Sequence, residues 1–181
     1  MIREQAVARD RLQLRENGRV GPAMTSMKSD VLSQLRNANA ALLERGETEV
    51  IGDYFSPGYI AHITGKDISG GHKMIRQIVA MYQRAFAEIT TTLEVLAQQS
   101  DRVAWQRTIH ATHRGPFKGF PGTNRGLVWR EMVTSRFEDG LIVEEWFITD
   151  LAEQLLVARK KLKERRRSNT ASQSTLASSA P

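Results

Sequence analysis

The chain has 181 residues, 40% of them hydrophobic and 25% charged, which is typical of a soluble protein of one domain with a sizeable core. It contains no run of about 18 apolar residues, so no membrane-spanning helix is expected. The absence of cysteine excludes disulfides, thiolate catalysis and cysteine-bound zinc. The first residues lack the apolar segment of a signal peptide, and we expect a cytoplasmic protein.

The basic charge of the chain lies in one short segment near the C-terminus. The net charge is +6, and residues 159–167 hold seven of the 26 basic residues and one of the 20 acidic residues, which leaves 19 of each elsewhere. A domain that binds nucleic acid is expected to carry a basic face on its folded body. We therefore predict no nucleic-acid binding by the folded domain. The basic segment is interpreted as the solvated end of a helix, and a tether to an anionic polymer or membrane is the alternative.

Composition divides the chain into three parts. Residues 1–26 are charged, contain Gly21 and Pro22 and show no sustained periodicity, which predicts a flexible N-terminal extension. Residues 27–158 are predicted to form the folded domain. Residues 159–181 are basic and then rich in Ser, Thr and Ala, which predicts a disordered tail.

Three helices are predicted before the strands begin. Apolar residues at spacings of three and four predict helices over residues 27–46 and 72–88, with a shorter helix over residues 47–55. Pro57 and Gly58 are expected to end that short helix. An extended segment and a glycine-containing loop then lead to the third helix.

Four strands and a closing helix are predicted in the second half of the chain. Asp139-Gly140 predicts a hairpin turn between the last two strands, and the closing helix is predicted over residues 151–162. Helices followed by a meander indicate an α+β domain, with helices packed on one face of a curved antiparallel sheet around a pocket. The predicted strands cover approximately residues 91–100, 102–114, 126–138 and 141–149.

Strand alternation indicates which side chains face the pocket. In residues 102–114 the odd positions are the more apolar set and are expected to point inward, together with Arg107 and His113. A buried guanidinium needs a carboxylate partner or an anionic ligand. Glu131 and Glu145 on the following strands are the candidates to neutralise Arg107, although either could instead face solvent.

Asp150 ends the last predicted strand, directly before the closing helix. One interpretation is that it caps the N-terminus of this helix. The other is that the strand end forms the rim of the pocket, where the Asp150 carboxylate would serve as an acid-base group.

The four histidines do not form a metal-binding pattern. His110 and His113 are three residues apart on a strand and so lie on opposite faces, and His62 and His72 stand in no HxH or HExxH motif. The glycine-rich segment 115–126 joins two strands and does not open a helix, so it is not a phosphate cradle. The sequence therefore predicts neither a metal nor a cofactor.

Four motifs in a fixed order resemble one known family. In chain order they are F-x-x-x-Y-x-x-H at residues 55–62, RTIHATHRG at 107–115, FKGFPGTNRG at 117–126 and FEDGLIVEEWFITD at 137–150. They resemble the SnoaL-like polyketide cyclases, often labelled ester cyclases, of the NTF2-like superfamily. The resemblance covers about residues 27–156, nearly all of the predicted folded part.

The resemblance implies a cone-shaped α+β barrel, commonly a homodimer, around a hydrophobic cavity for a small apolar or polyketide-like molecule. The founding members close a polyketide ring by intramolecular aldol condensation without a metal. An aspartate of the last strand serves them as general acid-base group, which requires a carboxylate with a raised pKa in a dry pocket. This chain has Phe147 at the corresponding position, although the final acid of the motif is kept as Asp150.

The first functional hypothesis is a cofactor-free cyclase or isomerase that acts on an apolar carbonyl compound. Asp150 or Glu145 would transfer the proton, and His113, His62 or Arg107 would act as proton partner or stabilise the developing oxyanion. A hydrolase that activates water with the same kinds of side chain is a variant of this hypothesis.

The second hypothesis is a ligand-binding or dimerisation module without chemistry. Phe147 favours it, because this residue replaces the acid that the family reaction needs. Under either hypothesis a common set of residues is expected to contact the ligand. These residues are Tyr59, His62, Trp105, Trp129, Glu131, Trp146 and Phe147.

Overall fold

The structure, a computed structural model, describes residues 22–63 and 66–177, with side chains described for residues 30–63 and 66–165. Its helices are α1 (Pro22–Asn39), α2 (Ile51–Tyr54), α3 (Gly71–Ala85) and α4 (Leu151–Ala177). A π-helix, Ala40–Glu44, continues α1, and a 3-10 helix, Thr48–Val50, precedes α2. The strands are β1 (Phe55–Ile63), β2 (Lys66–Ser69), β3 (Phe86–Gln99), β4 (Arg102–His113), β5 (Arg125–Glu138) and β6 (Leu141–Thr149).

The six strands form one curved sheet in the order β2-β1-β6-β5-β4-β3. The predicted α+β class, with helices packed on a curved sheet, is confirmed. The prediction of a purely antiparallel sheet is wrong for one pair, because β1 runs parallel to β6. These two strands come from opposite ends of the domain, so no hairpin turn imposes an antiparallel direction on them. The sheet also stays open rather than closing into a barrel, with β2 and β3 at its edges.

The inner face of the sheet carries the residues that strand alternation predicted. Most odd positions of β4 and β5 are buried. Five of them are at most 2% exposed: Val103, Trp105, Ile109, Trp129 and Val133. The register between β4 and β5 is unbroken over the length of β4. Side chains of one parity therefore stay on one face along both strands.

A register shift between β5 and β6 changes the alternation on the last strand. Arg136 pairs with Glu144, but the next residue, Phe137, pairs with Ile142. As a result Ile142 and Glu145 are both buried although they differ in parity. The predicted hairpin between these strands is confirmed, with positive φ angles of 48° at Asp139 and 78° at Gly140.

The segment around Pro57-Gly58 is a strand and not the end of a helix. β1 already begins at Phe55, and its pairing with β6 shifts between Phe55 and Ile60. Pro57 and Gly58 fall within this irregularity, where proline is tolerated in a sheet because no ladder hydrogen bond is required. The predicted loop that follows includes a short edge strand, β2, which pairs with β1.

The third predicted helix ends earlier than expected, and the following strand begins earlier. α3 ends at Ala85, and Phe86 pairs with His113 as the first residue of β3. The apolar spacing of α3 continues through Phe86, so periodicity did not reveal the boundary. A positive φ of 57° at Glu88 accompanies a bulge near the start of β3.

The ends of the domain also differ from the prediction. α1 begins at Pro22, so the predicted extension 1–26 is helical from that residue, and residues 1–21 lie outside the described residues. The last helix continues to Ala177, past the predicted end at residue 162 and through most of the tail predicted to be disordered. No glycine or proline interrupts the chain between Leu151 and Ala177. Among the helices of the described part, none combines the length and apolar composition needed to cross a membrane.

Candidate functional site

An apolar cavity of about 540 Å³ lies between the inner face of the sheet and the helices. A volume of this size is typical of sites for small molecules. Exposed residues among its lining mark where it reaches solvent: Ile68, Lys118, Thr149 and Ala152. Charged and hydrogen-bonding side chains interrupt the apolar wall at a few positions, namely Asn39, Tyr59, Tyr82, Arg107, Lys118, Glu131 and Glu145.

Glu145 is a buried carboxyl group at the wall of the cavity. Tyr59 donates a hydrogen bond of 2.8 Å from its hydroxyl to Glu145 Oε2, and Ser135 donates one of 2.5 Å to Oε1. The Ser135 oxygen in turn accepts a 2.8 Å hydrogen bond from the Trp105 indole N–H. Both carboxyl oxygens are thus held in a fixed orientation, a requirement for a group that transfers protons at a defined atom.

Burial shifts the acidity of this pair of side chains. Desolvation raises the pKa of Glu145, and the hydrogen bonds from Ser135 and Tyr59 and the charge of Arg107 only partly oppose that effect. Desolvation also raises the pKa of Tyr59 well above its usual value, with a further contribution from Glu145. Tyr59 therefore stays a neutral hydrogen-bond donor, while Glu145 becomes a stronger base than an exposed glutamate.

Arg107 and Glu131 form an ion pair on adjacent strands. They face each other in the register of β4 and β5, and Arg107 donates to Glu131 Oε2 through Nε at 2.7 Å and through Nη2. Tyr82 and Trp129 donate to the other oxygen, Oε1, at 3.3 and 3.2 Å. The predicted neutralisation of Arg107 by an inward-facing glutamate is confirmed in this pair.

Asn39 holds the other side of the Arg107 guanidinium. Its Nδ2 donates a 2.8 Å hydrogen bond to the Leu35 carbonyl, which leaves Oδ1 to accept from Arg107 Nη1 at 2.7 Å. Asn39 ends α1, directly before the π-helix Ala40–Glu44. π-Helical turns within longer helices are frequent at functional sites, because the extra residue redirects nearby side chains.

The Arg107 guanidinium keeps donors for a ligand. A guanidinium has five N–H groups, and three of them are used by Glu131 and Asn39. The Cζ atom of Arg107 lies 5.6 Å from the centre of the Trp105 ring and 5.8 Å from the centre of the Phe147 ring. Phe147 itself lines the cavity. Arg107 can therefore hold an oxygen within an otherwise aromatic part of the wall.

Asp150 lies at the helix junction and not in the cavity lining. Its Oδ1 accepts a 2.7 Å hydrogen bond from the Arg130 backbone N–H, and Oδ2 is 3.5 Å from the Gln154 side-chain nitrogen. The backbone N–H of Gln154 also bonds to the Asp150 carbonyl. The Asp150 carbonyl thus accepts the first hydrogen bond of α4, while its carboxylate contacts β5 and the Gln154 side chain and not a backbone N–H of the first helical turn.

His113 points inward as the alternation indicated, but it packs in the core beyond the cavity. Its ring is completely buried, 5.4 Å from that of Phe86, and Nδ1 is 3.4 Å from Thr123 Oγ1. Desolvation lowers the pKa of His113, so the ring is neutral. Trp129 lies in the same part of the core, where it packs near the ring of Tyr82 and donates a hydrogen bond to Glu131.

His62 and Trp146 lie on the outer face of the sheet. Their rings stack in parallel with centres 4.6 Å apart, and the His62 nitrogens contact Asp67 at 2.6 Å and Glu144 at 2.7 Å. The Arg102 guanidinium covers the Trp146 ring at 4.8 Å. Neither ring lines the cavity, because even positions of β6 and β1 near this pairing face away from the helices.

Sequence reasoning missed three polar residues of the site: Asn39, Tyr82 and Ser135. Asn39 follows Leu35 by four residues and so interrupts the apolar stripe of its helix with an amide. The interruption at Asn39 is the signal in the sequence that would have identified a polar pocket residue. Within the described residues, no three His, Asp or Glu side chains are grouped so as to hold a metal ion.

Comparison with known proteins identifies relatives of this fold and site. Residues 33–156 match the family model described as SnoaL-like polyketide cyclase. No protein of curated function matches the chain.

Solved structures with the same fold come from several bacteria. IdmH of Streptomyces antibioticus, provisionally assigned as a polyketide cyclase, is 26% identical, with a TM-score of 0.59 over 73% of this chain and 97% of its own. AclR of Streptomyces galilaeus, provisionally assigned as a hydroxylase, is 24% identical, with a TM-score of 0.61 over 76% and 98%. A provisionally assigned polyketide cyclase of Acidithiobacillus ferrooxidans is 20% identical, with a TM-score of 0.64 over 71% and 93%.

Proposed function

We propose, because the chain belongs to the SnoaL-like polyketide cyclase family, that it is a cofactor-free cyclase or isomerase acting on an apolar carbonyl compound by acid-base chemistry. The observation that carries the proposal is the buried Glu145 carboxyl at the wall of an apolar cavity. Its raised pKa makes it a better base near neutral pH.

Glu145 is the proposed acid-base group. Its carboxylate removes a proton from the carbon next to the substrate carbonyl, and the electron pair of the broken C–H bond forms the enolate. In a cyclase the enolate carbon then attacks a second carbonyl of the same molecule, and the alkoxide formed takes the proton back from Glu145. In an isomerase the proton returns to a different carbon. Tyr59 keeps the carboxyl in place through its hydrogen bond to Oε2.

Arg107 is the proposed partner of the enolate oxygen. Its unused N–H groups offer charged hydrogen bonds to the oxygen on which negative charge develops. The ion pair with Glu131 and the bond to Asn39 hold the guanidinium before the substrate arrives. A preoriented donor of this kind stabilises the transition state without reorganisation during the reaction.

An enolisation assay tests this proposal without knowledge of the natural substrate. The exchange of the α-protons of 2-tetralone in D₂O is followed by NMR with the wild-type protein. We expect exchange above the buffer rate, and a loss of about 10²-fold or more in Glu145→Gln. Glu144→Gln is the matched control, because Glu144 is the neighbouring glutamate and contacts His62 on the outer face. Equal rates in wild type and Glu145→Gln would refute the role of Glu145.

The second candidate function is a ligand-binding module without chemistry. Phe147 favours it, since an apolar ring lines the cavity where the family acid is expected. In that case 2-tetralone binds and quenches the fluorescence of Trp105, but the wild-type protein does not accelerate exchange. Asp150→Asn is measured in the same exchange assay, because Asp150 is the other acid that the sequence indicated for proton transfer.

A further inference from the structure

We propose that Lys118 forms an anion-binding subsite at the opening of the cavity, and that the ligand is a carbonyl compound bearing a carboxylate at the end remote from the reacting carbonyl. This inference rests on the proposed function for the reacting end of the ligand. The carboxylate end is argued independently from the turn that carries Lys118, from the ion pairs of the cavity and from the strand register.

Lys118 occupies a strained position in a tight turn. Phe117 and Phe120 exchange two backbone hydrogen bonds of 2.9 and 2.8 Å, and both residues between them have positive φ, 44° at Lys118 and 86° at Gly119. Asn, Asp and Gly are favoured at such positions, and lysine is not. A side chain kept in an unfavourable backbone conformation suggests a functional reason for its placement.

The turn presents a cation next to aromatic rings. Lys118 is exposed and lines the cavity together with Phe117 and Phe120. Its ammonium nitrogen lies 5.7 Å from the centre of the Phe117 ring. This combination suits a ligand with an apolar body and an anionic end, since the rings contact the body and the ammonium group contacts the anion.

The other charged side chains of the cavity already have partners. Arg107 is paired with Glu131, and Glu145 accepts hydrogen bonds from Tyr59 and Ser135. Among the described lining residues, Lys118 is the cation for which no carboxylate lies within ion-pair distance. Its charge is therefore available to a ligand.

The strand register places Lys118 at the opposite end of the cavity from Glu145. On β5, Ser135 pairs with Glu145 and Glu131 pairs with the exposed Thr149, and four residues of a strand span about 13 Å. β4 begins next to the part of β5 that pairs with Glu145, because Val103 pairs with Ser135. It then runs past Arg107 to His113 and into the loop that carries Lys118. An anion next to the Glu145 carboxylate would be repelled, so the carboxylate of the ligand belongs at the Lys118 end of the cavity.

Binding of a matched pair of compounds tests the subsite. The probes are 6-acetyl-2-naphthoate and 2-acetylnaphthalene, which differ only by the carboxylate, and calorimetry measures both affinities. We expect Lys118→Met to weaken binding of 6-acetyl-2-naphthoate about fivefold and to leave that of 2-acetylnaphthalene within about twofold. Lys118→Arg should keep the preference for 6-acetyl-2-naphthoate over 2-acetylnaphthalene. Lys73→Met is the control, because Lys73 is exposed on α3 and does not line the cavity.

The outcomes separate this inference from the proposed function. Equal affinity of the wild type for the two probes, or equal losses in Lys118→Met and Lys73→Met, would overturn the subsite. Unchanged binding of 2-acetylnaphthalene shows that the Lys118→Met cavity is intact. A Lys118-dependent preference for the carboxylate supports the subsite even if 2-tetralone exchange fails, because binding does not depend on turnover. In that case the proposed function alone is refuted.

Discussion

The Tyr59 hydroxyl donates a 2.8 Å hydrogen bond to Glu145 Oε2, and both side chains are buried. The two residues are 86 positions apart in the chain, and the parallel pairing of β1 with β6 brings them together. The bond stabilises the carboxylate form, so it lowers the pKa of Glu145 against the larger effect of burial, which raises it.

Tyr59→Phe should therefore raise the pKa of Glu145 further. We expect the pH midpoint of 2-tetralone exchange to move upward by about one unit, because a hydrogen bond to a charged group contributes about 1.5 kcal/mol. NMR rates across the pH range measure the midpoint. Tyr54→Phe is the control, since Tyr54 packs against the core without lining the cavity. A midpoint that stays in place or moves downward contradicts the role of Tyr59.

Removing one partner of the Arg107–Glu131 pair should destabilise the fold more than removing both. Arg107→Met leaves a buried carboxylate without its cation, which costs about 3–5 kcal/mol of unfolding free energy. The double variant Arg107→Met, Glu131→Leu should recover most of this loss, since apolar side chains then replace both charges. Urea unfolding of the two single variants and the double variant measures the coupling. Additive losses would show that the two charges do not depend on each other.

Phe147→Asp should discriminate between the two candidate functions. The substitution places a carboxylate where the family acid is expected, on the same face of β6 as Glu145. If the cavity is catalytic, Phe147→Asp should exchange 2-tetralone protons at least about tenfold faster than Phe147→Ala. The alanine variant controls for the lost ring, which costs both variants about 3 kcal/mol of stability. Background exchange in the wild type and both variants supports the binding module.

His62 should contribute pH-dependent stability from the outer face. Two hydrogen bonds raise the pKa of His62 above its usual 6.5, because both favour the imidazolium form. The larger effect comes from the Asp67 carboxylate and the smaller one from Glu144. A raised pKa in the folded state gives stability that is fully present below the unfolded pKa and is lost as the pH rises through the folded pKa.

The comparison of wild type with His62→Gln measures this contribution. Unfolding free energies from about pH 5.5 to about pH 8.5 should differ most at the acidic end and converge as the pH rises. Asp67→Asn should reduce the effect, because it removes the first of the two carboxylates. If the difference in unfolding free energy between wild type and His62→Gln is constant with pH, or grows toward alkaline pH, the raised pKa of His62 is contradicted.

We propose that the outer face of the sheet mediates a homodimer. Val128, Met132 and Ile148 are exposed there, and Ile148 is 75% exposed opposite its strand partner Met132. Ile148→Glu should shift the sedimentation coefficient from that of a dimer to that of a monomer. Leu96→Glu, at an exposed apolar residue of the edge strand β3, should leave it unchanged. A wild-type monomer at micromolar concentration would refute the dimer.

The alternation of β4 was sufficient to place Arg107 on the inner face, while the sequence left open whether Glu131 and Glu145 face solvent. A strand has a side-chain period of two, so Trp105 and Arg107 on β4 had to share a face with their buried apolar neighbours. The hairpin at Asp139-Gly140 followed from the backbone freedom of glycine. The family resemblance was likewise contained in the order of the motifs.

The sequence by itself thus determined the fold class, the inward face of β4 and the need of Arg107 for a carboxylate or anionic partner, because these follow from local periodicity and from the cost of burying a charge. Only the tertiary structure decided that Glu131 and Glu145 line the cavity and that Asp150 does not. The parallel pairing of distant strands and the shifted register of β6 bring Glu145 next to Tyr59. The same geometry ties the Asp150 carboxylate to the backbone of Arg130 and places His62 on the outer face. Contacts between segments far apart in the chain leave no periodic signal in the sequence, so no local pattern could have assigned them.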